Sequence, residues 1–302
     1  MLMKPRVLSD ELSILRCLNI RMDLSSKDKR HLLKLEKGYQ GEVMFDQLTE
    51  KLQSKIYILN DLCLEFNRSI FQIDTLIISE SVIFPLDVKN YEGDYIYGEE
   101  EFQRVMSDHK MPNPLNQLKR SHLLLRSLLK SLNIHLDIDG SIIFINPKFT
   151  LYQAPVNPSF IFPTQINLFL KTLNEIPSNL NDHHKRIADL LISMHQPESP
   201  FIRLPPYEYN QLRKGIICEA CHSFHFKVSE RKLVCNQCGR VENIDSAVLR
   251  NVEEFRLLFP NRKIRTNCIH EWCNIISSKK KIRRILSQNL RPIGEREHRY
   301  FV

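Results

Sequence analysis

The 302-residue sequence predicts an α/β protein, a mixed sheet flanked by helices, followed by two smaller C-terminal modules. Three observations carry that expectation. Residues 56–65, 70–79 and 82–90 are successive runs rich in β-branched and aromatic side chains, with apolar-periodic segments on either side. Two Cys-x2-Cys pairs fall between positions 218 and 238. The excess of positive charge is confined to the last fifth of the chain.

The elements follow in order. Residues 27–53 place apolar side chains (Leu32, Leu33, Leu35, Val43, Phe45, Leu48, Leu52) mostly three or four apart, so a helix is expected, with Gly38 and Gly41 as a candidate break. After the three strands, residues 92–111 are charged and carry Gly93 and Gly98, which reads as a loop with short extended pieces. Pro114 opens a helix through Leu132, since proline suits a first helical turn. Residues 142–146 form a short buried strand ended by Pro147, and residues 166–173 and 183–193 read as helices. Pro197, Pro200, Pro205 and Pro206 mark a linker over 196–214. The domain reading is therefore 1–195, the linker, 215–245, and 246–302.

Composition narrows the classes. With 42% hydrophobic and 26% charged residues the chain is neither disordered nor collagen-like. No run of about 18 apolar residues suggests a membrane span. The start, MLMKPRVLSDELS, lacks the apolar core of a secretion signal, so a cytoplasmic, reducing location is expected. Only 8 glycines occur, and no glycine-rich phosphate loop is present. Lys and Arg number 43 against 35 Asp and Glu, a net charge of +8. Residues 246–302 alone hold 13 basic and 5 acidic residues, so the rest is neutral. Such a basic module suits a polyanionic partner, nucleic acid first.

Asp87 and Lys89 lie two apart in one strand and so share a face. A two-residue turn at Glu80-Ser81 sets Asp74 directly opposite Asp87, with Gln72 toward Lys89. Two carboxylates at roughly 5 Å repel unless a cation lies between them. A divalent metal with oxygen ligands meets that need; an ordinary solvent-facing surface is the alternative.

The ordered series Gly41-Glu42, Gln72-Ile73-Asp74, Asp87-Val88-Lys89-Asn90-Tyr91-Glu92-Gly93, then Asn113-Pro114 with Gln117 resembles the nuclease-related domain (NERD) of the PD-(D/E)xK nuclease superfamily, over about residues 35–150. The resemblance implies a PD-(D/E)xK-type sheet and a phosphodiester-hydrolysing site. It implies that Asp74 and Asp87, with the Val88 carbonyl, ligate Mg²⁺ or Mn²⁺, and that Lys89 activates water and stabilises charge at phosphorus. Glu42 would reach the metal directly or through water, and Gln117 would position water or phosphate. The family usually has Glu where this chain has Asp87, one methylene shorter.

Cys218, Cys221, Cys235 and Cys238 have the spacing of a tetrahedral four-thiolate site, so structural Zn²⁺ is expected. The stretch 215–245 resembles a zinc ribbon. It is too small for a sizeable core, and the metal would supply much of its folding energy. Residues 246–259 are apolar-periodic, Thr266 and Ser277 or Ser278 are candidate caps for two more helices, and a hairpin can follow. Three helices and a hairpin resemble a winged helix-turn-helix over 246–302. That resemblance makes Lys279, Lys280, Lys281, Arg283 and Arg284 contact candidates for DNA, with Arg291, Arg296 and Arg299 on the wing. The combined expectation is a Mg²⁺- or Mn²⁺-dependent DNA endonuclease or processing nuclease. The alternatives are a non-catalytic DNA-binding protein with a degenerate nuclease fold, or a protein-interaction scaffold.

Overall fold

The computed structural model describes residues 1–108, 110–157, 159–196, 202–295 and 298–302. The chain divides into two compact units, residues 1–8 with 33–202, and residues 9–32 with 203–302.

The first unit contains β1 (Leu2–Lys4) and most of a helix that begins in the other unit; in chain order that helix is α2 (Ser26–Thr49), after α1 (Asp10–Arg21). There follow β2 (Tyr57–Phe66), β3 (Ser69–Ile78), β4 (Val82–Lys89), β5 (Gly93–Ile96), β6 (Glu101–Arg104), β7 (Lys110–Pro112) and α3 (Pro114–Ser131). Next come β8 (Asp137–Ile138), β9 (Ser141–Phe144), β10 (Phe149–Tyr152), β11 (Phe160–Ile161), a 3-10 turn (Pro163–Gln165), α4 (Ile166–Glu175) and α5 (Asp182–Ser193). The main sheet runs β1-β2-β3-β4-β9-β11, with β8 beside β4. It is mixed: β2, β3 and β4 are antiparallel, while β1, β9, β11 and β8 join in parallel.

Each face of the sheet has its own core. Leu59, Leu64, Leu76 and Ile83 pack with Leu125 and Leu129 of α3 and Leu191 of α5. On the other face Ile56, Ile77, Leu86 and Ile143 pack with Phe45 of α2 and Ile166 and Leu173 of α4. Burying side chains of this kind stabilises the unit by roughly 1.5–3 kcal/mol each. The helix expected with a break at Gly38 and Gly41 is continuous. Gly41 serves close approach instead: a Cβ there would lie 2.5 Å from the Cβ of Asn90.

Residues 92–111, expected mostly as loop, form β5, β6 and β7, which join β10 in a four-stranded sheet. Tyr95 and Phe102 are the reason. Both are buried among Phe144, Phe149 and Phe160, and Phe144 stacks on Phe149 at 4.3 Å. Charge on the alternate, outward residues hid the apolar period from the sequence reading.

The second unit holds α1, a three-stranded sheet of β12 (Phe226–Ser229), β13 (Lys232–Cys235) and β14 (Val241–Asn243), and the helices α6 (Ile244–Leu258), α7 (Thr266–Cys273) and α8 (Lys279–Asn289). A hairpin of β15 (Pro292–Ile293) and β16 (Tyr300–Phe301) closes it. Ser278 caps α8, accepting from the Lys281 N–H, whereas Arg265 and not Thr266 precedes α7 and makes no side-chain cap.

Residues 9–32, read from sequence as part of the first domain, group here. Leu12, Leu15 and Leu18 are buried, and Arg21 reaches Glu254 of α6 at 2.5 Å and the carbonyls of Arg213 and Gly215. The Arg21 guanidinium also sits 4.1 Å from the Trp272 ring centroid. Much of the expected linker is part of the fold too. Tyr209 and Leu212 are buried, while Pro197 and Pro200 lie outside the described residues. Gly215 and Ile216 donate to the carbonyls of Trp272 and Cys273, which ties the cysteine segment to the helices. No helix among the described residues is long and apolar enough to cross a membrane.

Candidate active site and metal centre

The β3–β4 ladder begins at Ile78↔Ile83 and stops at Thr75↔Leu86. Its turn is closed by the Ser79 N–H donating to the Val82 carbonyl at 2.9 Å, with Glu80 and Ser81 between. One step further in the same register brings Asp74 opposite Asp87. There the main chains no longer pair. Asp74 Oδ2 instead accepts the Val88 N–H at 2.8 Å, a carboxylate in place of a strand carbonyl. Asp74 and Asp87 are only 9% and 7% exposed.

Lys89 Nζ donates to Asp87 Oδ1 at 2.7 Å and to Gln117 Oε1 at 3.1 Å. Gln117 arrives from the start of α3, whose entry is fixed by Asn113. That side chain accepts the Leu115 N–H and donates to the carbonyls of Gly98 and Glu99. A small slot opens at this point, lined by Gln72, Ile73, Leu86, Asp87, Gln117 and Ser121. Asp87 Oδ2 is buried and accepts no hydrogen bond.

Burial pushes the Asp87 carboxyl up to about 7; Lys89 pulls it down and Asp74 pushes it up. Burial also works against the Lys89 ammonium, but Asp87 and then Asp74 outweigh it and hold this lysine above its ordinary range. A buried carboxylate oxygen without a hydrogen bond, beside a second carboxylate, is a place for a proton or a cation. Oxygen donors of this kind suit a hard divalent ion, so Asp74 and Asp87 fit Mg²⁺ or Mn²⁺.

The sequence reading missed Arg6, Lys4 and Asp61. Arg6, its side chain 4% exposed, donates to Glu42 at 2.7 Å, to Asp46 at 2.8 Å and to the Asp74 carbonyl at 2.7 Å. Burial raises Glu42 to about 8, Asp74 adds to the rise and Arg6 opposes it. Lys4 donates to the carbonyls of Asn60 and Asp61. They lie where β2 is irregular. Asn60↔Thr75 and Leu62↔Ile73 pair, while Asp61, opposite Asp74, turns to φ 55°. Gln72, expected toward Lys89, donates to Asp61 at 2.8 Å. Extending the register arithmetic across β2 would have found Asp61; nothing in the first eight residues announced Lys4 or Arg6.

The expected site residues therefore divide. Asp87, Lys89 and Gln117 are in direct contact, with Asp74 bonded to the neighbouring amide. Glu42 is held by Arg6. Among the described residues, the four cysteines are the one group of three or more Cys, His, Asp or Glu whose ligand atoms all lie within 4.8 Å of one another. Other matched residues hold the scaffold. Asn90 donates to the Lys37 carbonyl at 2.7 Å and accepts from Asn146 at 2.9 Å, pinning α2 against the end of β4.

In the second unit Cys218, Cys221, Cys235 and Cys238 converge, as expected. The Cys218–Cys238 and Cys221–Cys235 sulfurs lie 3.6 and 3.5 Å apart. That is far beyond a disulfide and close to the roughly 3.8 Å edge of a tetrahedron with about 2.3 Å metal–sulfur bonds. The Cys238 and Gln237 amides pull the Cys235 thiol down to about 6. The four residues are placed to bind a metal ion, and thiolates in this geometry fit zinc.

On α8, Lys279, Lys280 and Arg283 are exposed. Arg284 pairs with Asp245 at 3.0 Å, and Lys281 donates to the Glu230 carbonyl. Arg291 is exposed and Arg299 reaches the Gly294 carbonyl at 3.5 Å, while Arg296 lies outside the described residues.

Residues 37–145 match the family model of the nuclease-related domain, which covers Glu42, Asp74, Asp87, Lys89 and Gln117. An uncharacterized protein of Bacillus anthracis is 36% identical over 88 residues, 28% of this chain and 40% of that protein. The chain thus spans about two-fifths of the length of this curated relative. No solved structure matches.

Proposed function

We propose that this protein is a nuclease that hydrolyses phosphodiester bonds in nucleic acid, DNA first, with a divalent metal held by Asp74 and Asp87. The observation that carries this reading is the buried, unbonded Oδ2 of Asp87, whose Oδ1 accepts from Lys89, inside the segment that matches a nuclease-related domain. The Val88 carbonyl serves as a third ligand. Mg²⁺ or Mn²⁺ at this position supplies an acidified water and neutralises charge on the phosphate.

The chain's own residues do the rest. Lys89, kept charged by its two carboxylates, orients the attacking water and stabilises the charge that develops at phosphorus. Gln117 fixes the Lys89 ammonium and presents its amide to water or to a phosphate oxygen. Glu42, whose carboxylate accepts from Arg6, would act on the metal through water.

In the second unit, Zn²⁺ on the four thiolates completes a ribbon. The three helices and hairpin act as a winged helix-turn-helix whose exposed Lys279, Lys280, Arg283 and Arg291, with Arg299 beside the Gly294 turn, meet phosphates. The domain roles are a cutting unit and a holding unit.

The test is cleavage of plasmid and single-stranded DNA with Mg²⁺ or Mn²⁺. Asp74→Ala and Lys89→Ala should each lower the rate at least about a hundredfold. Full wild-type cleavage by both variants would show the site to be wrong. Salt-sensitive DNA binding without metal-dependent cutting would leave the second reading, a binding protein on a degenerate nuclease fold. The pairing of Glu42 with Arg6 is the observation that favours that reading.

A further inference from the structure

Helix α3 carries Lys119, Arg120, His122, Arg126 and Lys130 and no acidic residue. At about 100° per residue, Lys119, Arg126 and Lys130 fall within about 40° of one another and form a single stripe, while Arg120 projects about 100° round from Lys119. All four cations are exposed, and so is Leu123, 67% exposed on the same side. Lys119, Arg120 and Lys130 have no ion-pair partner among the described residues, and Arg126 approaches only His122, at 3.4 Å.

The neighbouring helices are built differently. Lys171 pairs with Glu175 in α4 and Lys185 with Asp189 in α5, each four residues on. Such pairs favour a helix, whereas the like charges at Arg126 and Lys130, also four apart, disfavour it by a few tenths of a kcal/mol. The sequence keeps a self-repelling stripe where compensating acids would be easy to place.

The stripe also has a direction. Gln117, bonded to Lys89 in the candidate site, projects about 160° round the helix from Lys119, and Arg120 lies between the two directions. The N-terminal end of α3 is flanked by Glu99 and Glu100, whose carbonyls accept from Asn113, with Asn116 beside the Glu100 carboxylate. A polyanion at the slot is repelled on that side and attracted toward the C-terminal end of the helix. From Lys119 to Lys130 the helix rises about 16 Å. That is the length of about five nucleotides of a duplex strand at about 3.4 Å each.

We propose that the Lys119–Arg126–Lys130 stripe of α3, with Arg120 between it and Gln117, binds the phosphate backbone of a nucleic-acid strand on its way from the Asp87–Lys89–Gln117 site. This rests on the nuclease reading of that site and adds the path and direction of the substrate.

The test uses the full chain and a labelled 30-base-pair DNA, with binding titrated across a range of NaCl in Ca²⁺ to prevent cutting. The triple variant Lys119→Gln, Arg126→Gln, Lys130→Gln is compared with Lys171→Gln, Lys185→Gln. Glutamine is a good helix former, and loss of repulsion should hold or raise the melting temperature. The expected result is at least about tenfold weaker binding at moderate salt and a slope of log Kd against log salt shallower by about two to three, for the α3 variant alone. Wild-type affinity and slope in the α3 variant would overturn the proposal, as would an equal loss in the control. Cleavage assayed in Mn²⁺ separates the two readings. Normal cutting with an unaffected salt slope removes the track and leaves the nuclease. A lost slope with no cutting by the wild type supports the track and removes the nuclease.

Discussion

Arg6 performs two tasks at one point. Its guanidinium neutralises Glu42 and Asp46 on α2, and it satisfies the Asp74 carbonyl where β3 parts from β4. Removing it leaves carboxylates buried without a partner and a main-chain carbonyl unbonded. Arg6→Ala should therefore cost about 3–5 kcal/mol, read as a lower urea midpoint. Gly41→Ala should cost about 1–3 kcal/mol by the same measure, because the added methyl meets Asn90. Had either variant wild-type stability, that residue would not be holding α2 to the strands. The pH dependence belongs to this scale as well. Asp87 and Glu42 have raised carboxyl pKa values, about 7 and 8, so each prefers its protonated form in the fold. Their contribution to stability is full below the ordinary carboxylate range and is lost as pH rises through 7 to 8. A metal held by Asp87 needs that carboxyl charged, so Mn²⁺ affinity should climb between pH 6 and 8 while the metal-free melting temperature falls. Affinity that is flat over this range would contradict the assignment of Asp87 as a ligand.

At the scale of elements, register carried the reading. The runs at 56–65, 70–79 and 82–90 are β2, β3 and β4 within one residue at nearly every end, and the turn at Glu80-Ser81 holds. Period-2 burial and a two-residue turn are local properties, and Asp74 opposite Asp87 follows from them. Helix α3 was legible for the same reason: Pro114 at its start and leucines at helical spacing. Strands β5 to β7 were not. Each is short, and what makes them strands is contact of Tyr95 and Phe102 with Phe144 and Phe149, which lie some 40 or more residues on. Strand β1 was not legible either, since its partner β2 is more than fifty residues away and its charged Lys4 is buried against two β2 carbonyls. Glu42 was identified by resemblance, but its partner Arg6 depended on that unread strand.

At the scale of the whole molecule, two units have different sources of stability. The first has two sheet-facing cores and an aromatic cluster, and needs no staple. The second is smaller and depends on Arg21, buried between Glu254 and Trp272, and on the four cysteines. Cys218→Ser, or a strong zinc chelator, should lower the melting transition of the second unit while the first keeps its own. Calorimetry resolving two transitions checks this, and a single unaffected transition would contradict structural zinc. Arg21→Ala should act on the same transition, by about 3–5 kcal/mol. The central claim is narrower: a divalent cation lodges between Asp74 and Asp87. A crystal soaked in Mn²⁺ and measured at the manganese edge tests it directly. The expected result is an anomalous peak in contact with both carboxylates, lost in Asp87→Asn. A peak elsewhere, or none, in a protein that still cleaves DNA would contradict it.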